Sequence, residues 1–127
     1  MPILDYKQKS EEAKENLFNN PKISSENKRQ VRRFLDSYDV SYARKGIFLR
    51  HIIFLLEKND NLEEIMYDRD SINQIFTEMR EKLSSGYYAT IINISLRYVK
   101  WLNGGERPKG FVDIVNVSKK KQKRNLS

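Results

Sequence analysis

The sequence predicts an all-α protein, a compact bundle of four to five short helices with a basic C-terminal linker. Two observations support this prediction. Proline and glycine are scarce before residue 104, and apolar residues recur there at the three- and four-residue spacing of amphipathic helices. A chain of 127 residues has the length of one ordinary domain with a modest core.

The first two predicted helices are amphipathic. A thin apolar stripe predicts the first over about residues 4–19, before Pro21. The second begins at residues 23–25, Ile-Ser-Ser, where a serine can cap free amides and the isoleucine can pack on the first turn. Its apolar face comprises Val31, Phe34, Leu35 and Tyr38. Its opposite face is basic and comprises Lys28, Arg29, Arg32 and Arg33.

The third predicted helix, about residues 42–58, has Ser41 as its cap and hardly any polar face. A helix that is apolar all round usually lies at the centre of its domain. Arg44, Lys45 and His51 interrupt the apolar pattern. His51, the single histidine, is interpreted as either packed or facing a phosphate.

Two further helices are predicted after an acidic loop at residues 62–66. The fourth, about residues 70–83, is capped by Asp68 or Asp70. The fifth is the stretch SSGYYATIINISLRYVKWL, residues 84–102, and the Asn-Gly-Gly that follows ends it. Short connections therefore join all the predicted helices.

Three segments follow from this pattern. Residues 1–22 form an N-terminal helix or arm, residues 23–106 the helical core, and residues 107–127 a basic linker that is extended or loop-like after Pro108. The net charge of +7 is concentrated in the last segment, which contains seven basic residues and one acidic residue, Asp113. A basic segment beside a nearly neutral body favours a polyanionic partner, nucleic acid before a membrane surface; the alternative is a solvated tail.

Composition excludes or disfavours several chemistries. The chain contains no cysteine and one histidine, so neither a disulfide framework nor a Cys- or His-rich metal site is possible, and no cofactor is expected. No apolar run approaches the ~20 residues of a membrane span, and the N-terminus does not resemble a signal peptide, so we expect a soluble intracellular protein. Carboxylate pairs occur only on predicted loops or solvated faces, and no glycine-rich phosphate loop precedes a helix. We therefore expect no catalytic residues in this chain.

The fifth predicted helix has two distinct faces. At 100° per residue, its buried stripe comprises Tyr88, Ile92, Ser95, Val99 and Leu102. The opposite face comprises Thr90, Asn93, Arg97 and Lys100. Arginine can bridge guanine and asparagine can bridge adenine in the major groove, while threonine and lysine can bind phosphate. This face predicts a DNA-reading helix, although a plain solvated face has the same periodicity.

The two ends of this helix carry further candidates. Its serine-glycine start offers free amides to a phosphate, and Tyr87 points away from the core stripe there. The third predicted helix also starts with a Tyr-Ala pair after a serine-bearing joint, so Arg44 and Lys45 would extend one basic patch if the two helices start side by side. Trp101 lies beside the polar face, and we expect it to pack against the chain that follows the two glycines.

An ordered set of short motifs resembles a known family. The segment ISSENKRQVRRFLDSYDVSYARKGIFLRHIIFLLEKN is followed by a helix ending MREKLSS and then by GYYATIINISLRYVKWLNGGERP. This order resembles the N-terminal core-binding domain of tyrosine recombinases, the phage-integrase-like enzymes, and their archaeal branch in particular. Thr90, Arg97 and Trp101-Leu102 match the last helix of that domain, and the resemblance spans residues 23–117.

The resemblance implies a function. In this family a SAM-like helical bundle forms half of a C-shaped clamp on double-stranded DNA, and a catalytic domain in the same chain forms the other half. The matching positions imply DNA contacts by Tyr42, Arg44, Lys45, Thr90, Asn93 and Arg97. The interdomain linker along the duplex would contain Lys119, Lys120, Lys121, Lys123 and Arg124. The resemblance further implies DNA recombination or integration, self-association on DNA, and a cytoplasmic, nucleoid-associated place in a prokaryote, virus or plasmid-borne element.

The family's catalytic set cannot be assembled from this sequence. That set is an arginine, a lysine, a His-x-x-Arg motif, a second histidine or tryptophan, and a nucleophilic tyrosine, whereas His51 is followed three residues later by Phe54. The family's catalytic domain would begin near the end of this sequence. We therefore expect a core-binding fragment of a larger recombinase or a stand-alone DNA-binding remnant, with none of the seven tyrosines as a nucleophile.

Two other classes of function fit the helical pattern. A protein-interaction module would bind little DNA and expose a large apolar patch, for example around residues 111–117. A helix-turn-helix regulator would need a tight turn between two short helices, which residues 84–86 could supply, and a dimer on a palindromic site.

Overall fold

The computed structural model describes the backbone of residues 2–111 and the side chains of residues 7–111. This part of the chain contains six α-helices and one 3₁₀ helix, and no β-strand. The helices are α1 (Pro2–Phe18), α2 (Ser25–Ser37), α3 (Tyr42–Lys58), α4 (Leu62–Ile65), α5 (Arg69–Lys82) and α6 (Ser85–Leu102), followed by the 3₁₀ helix Lys109–Phe111. Contacts divide the chain into two compact units, unit 1 (Met1–Asp60) and unit 2 (Asn61–Ser127).

In unit 1, α1 packs along α3, and α2 contributes one apolar face. The rings of Phe34 and Phe48 stack with centroids 4.8 Å apart, and the ring of Tyr38 lies 4.9 Å from that of Phe34. The buried apolar residues of unit 1 are Leu17, Ile23, Val31, Phe34, Leu35, Phe48, Leu49, Ile52, Leu55 and Leu56. Their removal from water stabilises the fold by about 25 cal/mol for each Å² of apolar surface.

Side-chain caps determine where α2 and α3 begin. The Ser24 Oγ atom accepts a hydrogen bond from the Asn27 amide at 3.2 Å, and the Ser41 Oγ atom accepts one from the Arg44 amide at 3.3 Å. Each cap satisfies an amide that has no partner inside its helix, a contribution of about 1 kcal/mol. Both capping serines agree with the sequence-based prediction, and α3 has its predicted bounds.

Asp60 ties the end of unit 1 to the start of α2. Its Oδ1 atom accepts hydrogen bonds from the Ser24 amide and from Asn27 Nδ2, both at 2.8 Å, and its carbonyl oxygen also accepts from Asn27 Nδ2. The amide of Ser24, and then the side chain of Asn27, favour the charged carboxylate, so the pKa of Asp60 is lowered from its ordinary value of 3.8. These hydrogen bonds join Asp60 to residues that lie 36 and 33 positions earlier in the sequence. We call them the polar tie.

Unit 2 depends on the contact between α5 and the 3₁₀ helix. Phe111 is fully buried, and its ring meets that of Phe76 edge-on with centroids 5.7 Å apart. The Gly110 amide donates to the Met66 carbonyl oxygen at 3.0 Å. A Cβ atom at Gly110 would lie 2.5 Å from that oxygen, so only glycine permits this approach.

The all-α prediction is confirmed for the described residues. The prediction of a loop at residues 62–66 is wrong for Leu62–Ile65, which form one helical turn. Phe111 lies in a 3₁₀ helix rather than in an extended or loop-like segment. Elements this short have no period to detect in the sequence, and here each includes a buried side chain, Leu62 or Phe111. The remainder of the predicted linker, residues 112–127, lies outside the described residues.

Candidate nucleic-acid interface

Helix α6 is fixed at both ends by local hydrogen bonds. The Ser84 Oγ atom accepts from the Tyr87 amide at 3.3 Å. Gly104 and Gly105 have φ values of 71° and 99°, a backbone region that favours glycine, and the Gly105 amide donates to the Lys100 carbonyl oxygen at 2.7 Å. These hydrogen bonds determine where α6 begins and ends, at Ser85 and Leu102.

The inner face of α6 is mainly apolar. Its buried residues are Tyr88, Ile91, Ile92, Ser95, Tyr98 and Val99. Burial raises the pKa of the Tyr88 hydroxyl, and burial together with the Glu63 carboxylate raises the pKa of the Tyr98 hydroxyl. Burial therefore disfavours the charged phenolate form of both hydroxyls.

The outer face of α6 presents a row of polar side chains. Ala89, Asn93, Arg97 and Lys100 are exposed and follow one another at spacings of four, four and three residues, which is one side of a helix. We call Asn93, Arg97 and Lys100 the α6 row. Arg97 and Lys100 are the only charged residues of α6, which contains no carboxylate.

The other predicted α6 residues lie at the edge of this face. Thr90 is half-buried, and its hydroxyl donates to the Gly86 carbonyl oxygen at 3.0 Å. The single hydroxyl proton of Thr90 is thus used inside the helix, which leaves its oxygen as an acceptor. Tyr87 is half-buried. Trp101 is also half-buried, with its ring stacked on that of Tyr98 at a centroid distance of 6.3 Å.

The predicted residues of unit 1 lie in the first turn of α3. Tyr42 is 47% exposed, Arg44 is exposed and Lys45 is half-buried. The Lys7 Nζ atom lies 5.9 Å from the centre of the Tyr42 ring, so a cation already occupies one face of that ring. These residues belong to unit 1 and the α6 row to unit 2, and a patch shared by the two helix starts stays a prediction.

His51 is packed. It is buried in α3, and its Nδ1 atom lies 2.8 Å from the carbonyl oxygen of Ile47, one turn earlier. A carbonyl oxygen only accepts hydrogen bonds, so Nδ1 carries a proton and donates it. Of the two interpretations of His51 from the sequence, the structure supports packing over a phosphate contact.

The basic face of α2 is partly neutralised by its neighbours. Arg29 donates two hydrogen bonds to Glu26 at 2.8 and 2.9 Å, and these bonds lower the pKa of Glu26. The Arg32 guanidinium lies 5.8 Å from the centre of the Phe18 ring. A groove of about 320 Å³ beside this face is lined by Glu11, Lys14, Glu15, Leu17, Phe18, Arg32, Leu35 and Asp36. Its three carboxylates disfavour a phosphate backbone at this groove.

Sequence reasoning misses one polar pair at the end of α6. The Tyr67 hydroxyl donates to Asn103 Oδ1 at 2.7 Å, and Asn103 Nδ2 donates to the Glu106 carbonyl oxygen at 3.0 Å. Asn103 directly follows α6, and Tyr67 lies 36 positions earlier, between α4 and α5. Periodicity within one helix cannot reveal so distant a partner. The one sequence signal is that Asn103 follows Lys100 by three residues.

The remaining candidates and the comparisons add no further site. The predicted contacts of the tail lie outside the described residues; they are Lys119, Lys120, Lys121, Lys123 and Arg124. The described part of the chain contains no group of three or more His, Asp or Glu side chains placed to hold a metal ion. No helix within residues 2–111 is long and apolar enough to cross a membrane.

Comparisons of the chain with protein-family models, with curated proteins and with solved structures find no match.

Proposed function

We propose that the chain binds double-stranded DNA and that α6 is its recognition helix. The class is an all-α DNA-binding domain. Within this class, we propose the core-binding domain of a site-specific tyrosine recombinase or integrase. The observation that carries the first step is the α6 row, three exposed hydrogen-bond donors on a helix without a carboxylate. The second step rests on the order of motifs in residues 23–117.

The dimensions of the α6 row suit the major groove. An α-helix rises about 10 Å from Asn93 to Lys100, which corresponds to about three base pairs at 3.4 Å each. The groove is about 12 Å wide and admits an α-helix. Arg97 can bridge guanine, Asn93 can bridge adenine and Lys100 can bind phosphate. Ala89 is small and exposed, so the helix backbone can approach the DNA closely there.

Charge outside α6 would position the duplex without reading it. The chain has a net charge of +7, and the start of α3 offers Tyr42, Arg44 and Lys45 to phosphate. The basic residues 119–124 would add attraction that does not depend on DNA sequence. We assign phosphate contacts to these two groups and base reading to the α6 row.

In the recombinase proposal this chain places the DNA, and strand cleavage belongs to a catalytic domain in cis. Self-association on DNA and a cytoplasmic, nucleoid-associated location come with that proposal.

A titration of the full chain with duplex DNA across salt concentrations tests DNA binding. We expect the logarithm of the association constant to fall linearly with the logarithm of the salt concentration, with a slope of about −0.9 for each phosphate neutralised. Selection from a random duplex library then defines a preferred sequence. Absent binding at low salt would contradict the proposal and favour a protein-interaction module.

Arg97→Ala tests base reading by the α6 row. We expect about 10- to 100-fold weaker binding to the preferred site and a smaller loss on unrelated DNA, because a bidentate base contact discriminates by about 1–3 kcal/mol. Arg80→Ala, which changes an exposed arginine of α5, is the matched control. Lys119→Ala with Lys120→Ala should weaken all sequences alike. Equal, sequence-independent losses for Arg97→Ala and the lysine pair would contradict base reading by Arg97.

The recombinase assignment has a separate test in the gene. We expect the sequence beyond Ser127 to encode a His-x-x-Arg motif and a later tyrosine within roughly 200 residues, an ordinary domain size. A reading frame that ends without them would contradict the recombinase assignment and leave the DNA-binding proposal intact.

A further inference from the structure

We propose that Tyr67 and Asn103 form one DNA-reading unit at the C-terminal end of α6, in which Tyr67 positions the Asn103 amide against a base edge. This inference rests on the proposed function and adds a specificity-determining residue to it. Three observations support it: the place of Asn103 in the α6 row, the assignment of its hydrogen bonds, and the anchoring of Tyr67.

Asn103 continues the α6 row. It follows Lys100 by three residues and is the C-cap of α6, with φ −97° and ψ 27°. Its amide still donates to the Val99 carbonyl oxygen four residues earlier at 3.0 Å, as in an α-helix. Residues three apart on a helix are neighbours, with Cβ atoms about 5–6 Å apart. With Asn103 included, the row extends about 15 Å along the helix axis, which corresponds to four to five base pairs at about 3.4 Å each.

The hydrogen bonds determine which way the Asn103 amide faces. The Glu106 carbonyl oxygen can only accept, so the partner 3.0 Å away must be the amide nitrogen of Asn103. The oxygen of the amide then faces Tyr67, whose hydroxyl must be the donor of the 2.7 Å bond.

The same bonds leave part of the amide available to a ligand. Asn103 retains one N–H and one oxygen lone pair, whereas the only hydroxyl proton of Tyr67 is used. A donor beside an acceptor is the pattern with which asparagine recognises the N6 and N7 atoms of adenine in the major groove. Asn103 is therefore the reading residue and Tyr67 its positioning residue.

Tyr67 is anchored although it is 52% exposed. The preceding residue, Met66, is buried, and its carbonyl oxygen accepts the Gly110 amide at 3.0 Å. Two hydrogen bonds, from the Tyr67 hydroxyl and to the Glu106 carbonyl oxygen, hold the Asn103 amide before any ligand binds. A side chain held in its binding orientation loses less conformational entropy on association.

Tyr67→Phe tests the unit because it keeps the ring and removes only the hydroxyl. We expect about three- to tenfold weaker binding to the preferred duplex, the range of one hydrogen bond, with relaxed selectivity at one base pair at the edge of the site. The slope of binding against salt should stay unchanged, because no charge is removed. The melting temperature, measured in parallel, should change little.

Asn103→Ala should relax selectivity at the same base pair. Its matched control is Asn59→Ala, since Asn59 ends α3 and donates its side-chain amide to the Leu55 carbonyl oxygen at 3.3 Å. The NMR signals of the Asn103 side-chain amide supply an independent readout. They should shift when the preferred duplex is added to the wild-type chain and shift less in Tyr67→Phe.

Two results would overturn the inference. If Tyr67→Phe and Asn103→Ala keep wild-type affinity and selectivity while Arg97→Ala loses them, the pair only closes the helix end, and the proposed function survives. If the wild-type chain binds no duplex under any salt condition, the inference and the proposed function fail together.

Discussion

Helix α2 of unit 1 and helix α6 of unit 2 differ in whether carboxylates of the same helix accompany their basic residues. α2 carries four basic residues and α6 carries two. However, α2 contains its own carboxylates, and Glu26 holds Arg29 at 2.8 Å, whereas α6 contains none. The charge of α6 is therefore not neutralised within its own helix. This difference between the helices themselves supports our proposal that α6, although it has fewer cations, is the DNA-binding helix.

The two units also differ in how their last described residues contact the rest of the unit. In unit 1, Asp60 forms the polar tie with Ser24 and Asn27. In unit 2, the ring of Phe111 is buried against that of Phe76. Burial of a large ring is worth several times more than a partly exposed polar tie, so the two contacts should respond differently to mutation and to pH.

The largest expected effect is on unit 2. Phe111→Ala should lower the free energy of unfolding by about 3–5 kcal/mol, because it removes a fully buried ring and leaves a cavity. Urea denaturation measures the loss. Phe18→Ala in unit 1 is the matched control, since Phe18 is 41% exposed and should cost less than about 1 kcal/mol. Similar losses for the two variants would show that the burial of Phe111 does not stabilise unit 2.

A smaller effect is expected when α6 is given a carboxylate of its own, which tests the difference between α2 and α6 directly. Asn93→Glu gives α6 a carboxylate four residues before Arg97, as α2 has Glu26 three residues before Arg29. We expect at least about tenfold weaker DNA binding, because the new carboxylate lies one turn from Arg97 and repels phosphate. The melting temperature should change little. Fluorescence anisotropy with a labelled duplex measures the affinity.

The reverse change belongs in unit 1. Glu26→Gln releases Arg29 from its ion pair and should strengthen sequence-independent DNA binding about two- to threefold at low salt, with less effect at high salt. If neither Glu26→Gln nor Asn93→Glu changes DNA affinity, counter-charge does not distinguish α2 from α6.

The smallest expected effect is the pH response of unit 1. The folded pKa of Asp60 is lowered, so its contribution to stability is present above its ordinary value of 3.8 and is lost as the pH falls through the lowered value. Because Asp60 is exposed, we expect a contribution below about 1 kcal/mol. Asp60→Asn should flatten the dependence of melting temperature on pH between pH 5 and pH 2. Asp39→Asn, a change at another exposed aspartate, should leave it steep.

Local rules predict most of the helices and the outer face of α6. The capping serines Ser24, Ser41 and Ser84 bond amides three residues later, so the interaction lies within one short stretch of sequence. Likewise, the exposure of Asn93, Arg97 and Lys100 follows from the helical period, because the opposite side of α6 is apolar.

The sequence by itself therefore determined the helical class, the starts of α2, α3 and α6 and the polar face of α6, all of which depend on neighbours within one or two turns. Only the tertiary structure decided the burial of Phe111, the Asp60 tie and the pairing of Tyr67 with Asn103. The pairing of Asp60 with Asn27 joins residues 33 positions apart in the sequence, and the pairing of Tyr67 with Asn103 joins residues 36 positions apart. A periodic pattern specifies which side of a helix is buried, but it does not specify which distant residue meets it.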